Sequence, residues 1–132
     1  MNWLAKNIIY SEMIFSDYAA RNNIANIPPD ELNQNLDKTA SALQIVRAYY
    51  NVPLVVSSGY RCEELNAAVG GSEKSHHTLG LAADFTVPGV SLEQIMKDVP
   101  LLLNFDQIIL EYNSWIHLSV HPRARGEVRS VI

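Results

Sequence analysis

A single cysteine, no run of lysine or arginine, and no apolar stretch as long as a membrane span set the first limits on this 132-residue chain. One thiol cannot build a disulfide framework. Cys62 is read as a small packed residue, because a nucleophilic role would need a histidine held beside it by the fold. A formal charge of −4 without a basic cluster lacks the cationic footprint that phosphate backbones demand, so nucleic acid is not an expected partner. A helix crossing a bilayer needs about 20 consecutive apolar residues, and the sequence offers no such run. Glu12 and Asp17 stand among the first apolar residues in place of a basic flank and hydrophobic run, so synthesis in the cytoplasm without a signal peptide is expected. Repeats, low-complexity tracts and Ser/Gly/Pro linkers are missing too. One domain over 1–132 is therefore expected, with 1–27 as an N-terminal extension packed on it, and a monomer.

What is there suffices for a compact core, with 48% of the residues hydrophobic and 18% charged. Ser11 to Arg21 begins on a capping-type serine and reads as one short helix ending near Asn22 and Asn23. Pro28 and Pro29 suit a helix start, and Asp30 and Glu31 fill a first turn where the helix dipole favours negative charge. Leu32, Leu36, Ala40, Leu43, Val46 and Tyr50 then recur every three or four residues, tracing one apolar stripe. Leu54 to Ser57 reads as a short strand and Glu63 to Val69 as a short helix stopped by Gly70-Gly71. Leu81 to Val87 alternates, with Ala82, Asp84 and Thr86 on the polar face. Ser91 caps a further helix through Met96 and Lys97. Phe105 to Glu111 and Trp115 to Val120 read as a hairpin around Tyr112-Asn113-Ser114, and the tail from His121, polar with two final apolar residues, carries little signal either way. The sum is an α+β fold, a small antiparallel sheet with helices packed on one side.

The hairpin register matters for chemistry. On its second strand Trp115, His117 and Ser119 share one face, and Glu111 opposes Trp115 on that face, diagonal to His117. His77 ends a loop, and Asp84 follows on the polar face of its strand beside Ala82, whose small side chain leaves room for an ion. A catalytic metal needs three such N or O ligands and an open fourth position. Yet a histidine, an aspartate and a distant histidine occur by chance in many chains, and on spacing alone Asp84 could face solvent and His117 could be a hydrogen-bonded histidine on a half-buried face.

The segment from Ser57 to Asp84, SSGYRCEELNAAVGGSEKSHHTLGLAAD, resembles the M15 peptidases, the zinc D-alanyl-D-alanine carboxypeptidases and phage endolysin peptidases. Their signature Ser-x-His-x-x-Gly-x-Ala-x-Asp is present as Ser75, His77, Gly80, Ala82 and Asp84, and their Trp-x-His as Trp115-Ile116-His117. The elements Ser58 to Arg61, Leu65-Asn66 and Val69 to Ser72 are also similar. The likeness runs from the Pro28-Pro29 helix start to Val120. It implies a Hedgehog/DD-peptidase-like fold and one zinc ion on His77, Asp84 and His117. It further implies that Arg61 holds the developing oxyanion or the substrate carbonyl, against a plain structural ion pair. Tyr60, Ser75 and Trp115 are nominated as substrate-binding residues, though Ser75 could instead hold its loop and Trp115 could fill the core. His76, one position off the signature, is read as a loop or supporting residue, and His121 as a surface residue.

The sequence departs from the pattern at one point. Many relatives carry an acid three residues before the last histidine, and here that position is Ser114, which cannot act as a base at neutral pH. Glu111 is nominated in its place. The resemblance implies hydrolysis of a peptide bond in peptidoglycan stem peptides, either D-Ala-D-Ala or L-Ala-D-Glu. The lack of an export signal and of a separate wall-binding domain points to a phage or prophage lysis enzyme acting on the cell wall, or to one delivered by other machinery, more than to a resident secreted enzyme. The alternative is a catalytically inactive, metal-containing wall-binding module of the same fold.

Overall fold

In the computed structural model, which describes residues 10–132, a five-stranded sheet carries helices against its apolar face. The strands are β1 (Val55–Ser58), β2 (Ala82–Thr86), β3 (Gln107–Glu111), β4 (Trp115–Ser119) and β5 (Glu127–Val131), in the spatial order β1-β2-β4-β3-β5. All pairings are antiparallel except that of β5, which runs parallel to β3. The first nine residues of the expected N-terminal extension lie outside the described residues.

The stripe that begins at Leu32 is buried as its spacing requires. A 3-10 turn over Asp30–Leu32 leads into α3 (Asn33–Tyr50), whose Leu36, Ala40, Leu43 and Val46 are fully enclosed. Asn51 ends the helix in the left-handed conformation, with its N–H on the Arg47 carbonyl. α5 (Leu92–Asp98) is capped by Ser91, whose hydroxyl accepts from Gln94 N–H. Ile95 of α5, the α3 stripe, and Ala83, Phe85, Ile108, Ile116 and Leu118 of the sheet form one core. Period-two alternation therefore sends Ala82, Asp84, His117, Ser119, Ile109 and Glu111 to the other face. That face lies beside α4 (Glu63–Ala68) and the 3-10 turn His76–Leu79, which pack together.

One expectation needs correction and one undecided segment gains an element. The single helix over 11–21 is two, α1 (Tyr10–Ile14) and α2 (Asp17–Arg21), because Ser16 adopts an extended backbone and its hydroxyl caps Ala19 N–H at 3.1 Å. A serine that can cap competes with helix continuation, and here the cap wins. The tail gains that element, since Glu127–Val131 closes the sheet edge as β5 and makes the sheet mixed. Cys62 caps α4, its sulfur accepting from Leu65 N–H at 3.4 Å.

Candidate metal centre

The sheet register brings two of the three nominated ligands side by side. Asp84 on β2 pairs with His117 on β4, both on the face away from the core. His77 arrives from the 3-10 turn, where the Ser75 hydroxyl accepts its backbone N–H and Gly80, at φ +72°, ends the turn in a conformation few other residues tolerate. All three residues are buried, and one ligand atom from each falls within 4.8 Å of the others. His117 Nδ1 lies 3.0 Å and His77 Nε2 3.2 Å from Asp84 Oδ1.

His77 shows why this arrangement suits a cation. Its Nδ1 sits 2.7 Å from the Gly59 carbonyl, which can only accept, so Nδ1 carries the proton and a neutral ring presents its Nε2 lone pair to the centre. That Nε2 is buried and makes no hydrogen bond, despite its closeness to a carboxylate oxygen. A lone pair facing a carboxylate repels it, and a shared positive ion turns the same contact into an attraction. Burial works against ionising Asp84, but its two imidazole neighbours, the His117 hydrogen bond first among them, hold the carboxyl well below its usual range. The anionic form that a metal requires is the one favoured here.

Around the triad a cleft of about 630 Å³ opens across the polar face. Arg61 and Glu111 line it, as do Trp115, Ser75 and His76. Burial lowers the pKa of the Arg61 guanidinium while the charges of Asp84 and Glu111 raise it, and an arginine stays ionised under such opposing influences. Its Nε is buried with no hydrogen-bond partner. Glu111 pairs with Trp115 across the hairpin, as the register argument requires. The turn between them has Tyr112 and Asn113 at φ +53° and +52°, with Ser114 N–H on the Glu111 carbonyl at 2.9 Å. Ser114 itself is exposed, its hydroxyl on the Tyr112 carbonyl.

The other nominated residues are placed as follows. Tyr60 packs in the core at 6% exposure and also borders a second hollow of about 420 Å³, next to Arg61, Asp84 and Trp115. Ser75 holds its loop, its hydroxyl accepting from His77 N–H and its carbonyl from Thr78 Oγ1. His76 bonds the Ser119 hydroxyl through Nδ1 and meets Arg123 at 3.0 Å through Nε2. His121 is half-buried, its ring stacked on His76 with centroids 4.8 Å apart.

Sequence reasoning passed over Asn26. This buried amide donates to the Ile14 and Tyr60 carbonyls and accepts from Cys62 N–H at 2.7 Å, clamping the loop on both sides of Arg61. Nothing in its local sequence marks it, since all three partners are distant backbone groups. Arg123, Arg125 and Arg129 also line the cleft, and the polar tail that holds them has no local pattern to mark them.

No helix among the described residues is long and apolar enough to cross a membrane. No curated protein matches the chain in a sequence comparison. A family model does match, described as Peptidase M15 and aligned over residues 6–119, a span that contains His77, Asp84 and His117 together with Arg61, Glu111 and Trp115. On that match the chain belongs to the M15 peptidase family.

Proposed function

We propose that this peptidase is zinc-dependent and hydrolyses a peptide bond in the stem peptides of bacterial peptidoglycan, with His77, Asp84 and His117 as the zinc ligands. The observation that carries this reading is the unpartnered, buried Nε2 of His77 facing Asp84 and His117 at the floor of an open cleft. Two imidazoles and a carboxylate are a donor set of the kind catalytic zinc uses, with a fourth position left for solvent.

The chemistry supplied by a bound zinc ion is acidification of water to a pKa of about 7 and polarisation of the scissile carbonyl. Glu111, the acid that lines the cleft beside the ligands, takes the proton of the attacking water and returns it to the leaving amine. Arg61 lies where its guanidinium meets negative charge growing on the carbonyl oxygen. A fixed donor of this sort lowers a barrier by roughly 3 kcal/mol. Trp115 walls the cleft and fixes Glu111 from the side. Glu111 thus fills the role that Ser114 cannot, which favours an enzyme over an inactive wall-binding module.

The test is digestion of purified peptidoglycan by the zinc-loaded protein and by Glu111→Gln, with fragments read by mass spectrometry and metal by elemental analysis. We expect the variant to keep about one zinc per chain while hydrolysis falls at least roughly a hundredfold, the low end of what a general base supplies. A wild-type protein that binds zinc and releases no peptide fragments would instead mark a binding module.

A further inference from the structure

Part of the cleft lining comes from residues beyond the family match. That match ends at residue 119, whereas Arg123, Arg125 and Arg129 belong to the segment that forms β5 and its approach. Together with Arg61 and Lys74 they put five of the chain's ten Lys and Arg around this one cleft, against Asp84 and Glu111 from its fourteen acids. A chain of net charge −4 has therefore gathered its positive charge at the site.

These cations differ in how far they are already spent. Asp106, fully buried, takes Arg125 through both Nε and Nη2 and lies 3.2 Å from Arg123 Nη2, so this pair of arginines is anchored. Among the described residues Arg129 forms an ion pair only with Glu127, at 3.5 Å and with both side chains substantially exposed, an arrangement that holds a guanidinium weakly. Lys74, which lines the same cleft from the loop before the His76–Leu79 turn, has no ion-pair partner among the described residues.

The register fixes where Arg129 stands. Asp84 pairs with His117, His117 with Ile109, and Ile109 with Arg129, so the four form one row across four strands. Strands are spaced by about 4.8 Å, which sets Arg129 roughly 10 Å along that row from His117, the reach of about three residues of extended peptide. Resting on the peptidase reading, we propose that Arg129 and Lys74 select substrate by binding an ionised carboxylate one to three residues from the scissile bond. The preferred substrate is an acidic peptide.

The test uses matched synthetic stem peptides that differ only in a free carboxylate or its carboxamide within three residues of the cut. Binding is measured by calorimetry on the full chain carrying Glu111→Gln, and cleavage is measured separately on the wild-type protein. We expect a threefold to tenfold tighter binding of the carboxylate peptide at low salt, shrinking as salt is raised. Arg129→Gln with Lys74→Gln should abolish that preference without changing binding of the carboxamide, and Arg129→Lys should keep most of it. Equal binding of the two peptides, or a preference that survives the double variant, overturns the proposal whatever the cleavage result. Absence of cleavage with the preference intact would overturn the peptidase reading and leave the carboxylate site standing.

Discussion

Trp115 Nε1 donates to Glu111 Oε1 at 2.8 Å across the mouth of the β3–β4 hairpin. The two face each other in register, so the indole N–H holds one carboxylate oxygen and leaves the other for solvent or substrate. Glu111 is thereby tied to a rigid ring, which matters for a group whose proposed work depends on a fixed position.

Trp115→Phe retains the aromatic wall and removes only that N–H. The expected outcome is a fall in kcat of roughly tenfold, a KM changed far less, and zinc content unaltered. Steady-state kinetics on a stem peptide with parallel elemental analysis would measure all three. An unchanged kcat would show that Glu111 needs no such support or is not the base.

Removing a proposed ligand separates metal binding from folding. Asp84 is buried beside two imidazoles, so Asp84→Ala takes out the one negative charge that draws the two rings and a cation together. Zinc at a hundred times its dissociation constant stabilises a native site by about 2.7 kcal/mol, visible as a rise in Tm of the wild-type protein. Asp84→Ala and His117→Ala are expected to lose that rise, and a chelator should return the wild-type Tm to its metal-free value. A zinc-induced rise that persists in both variants would place the ion elsewhere.

How much of this was legible in the sequence depends on the range of the forces involved. The α3 stripe and the 82–86 and 115–119 alternations follow from local periodicity, and hairpin register follows from a short turn, so the facing of Asp84, His117 and Glu111 could be reasoned out. The split at Ser16 turns on a cap competing with a helix, a contest of a kilocalorie or so that pattern alone does not decide. β5 was hidden because Glu127 to Val131 sits at the sheet edge with exposed Val128, where polar residues are tolerated on both faces. Asn26 was hidden because its partners are backbone atoms of segments up to 36 residues away.

Gly59 tests the link between scaffold and centre. Its carbonyl orients His77, and a Cβ built on it would lie 2.3 Å from the Met13 carbonyl oxygen, a backbone atom that cannot swing aside. Gly59→Ala must push β1 and α1 apart at the Tyr60 N–H to Met13 O hydrogen bond of 2.7 Å. Overpacking of this kind costs roughly 1–3 kcal/mol, and denaturant unfolding should show it. Because the displaced carbonyl also sets the His77 ring, zinc affinity is expected to fall tenfold or more, as for other residues that orient a ligand. A variant destabilised yet binding zinc with wild-type affinity would uncouple the two roles.

The acid side of the stability profile should be set by His76 and Asp106. Burial, then the nearby His121, lowers the His76 pKa to about 4, with Arg123 and His117 adding to the effect and Asp106 opposing it. A histidine whose folded pKa lies below its ordinary 6.5 binds its proton more readily when unfolded, so stability is full above pH 6.5 and is lost as pH falls toward 4. Asp106 is held below its usual range by its hydrogen bonds to Arg125, which outweigh the opposing effect of burial. Its contribution is present above the ordinary carboxylate pKa and fades at still lower pH. His76→Gln should therefore flatten the decline between pH 6.5 and 4 while leaving the later, steeper one. Asp106→Asn should cost about 2 kcal/mol or more at pH 7, since it strands two arginines, and the gap to wild type should close as the native carboxyl is protonated. Urea titrations of the metal-free proteins from pH 7 to pH 2 would follow the His76 phase in full and the onset of the Asp106 phase, and a wild-type profile flat to pH 4 would remove His76 from the account.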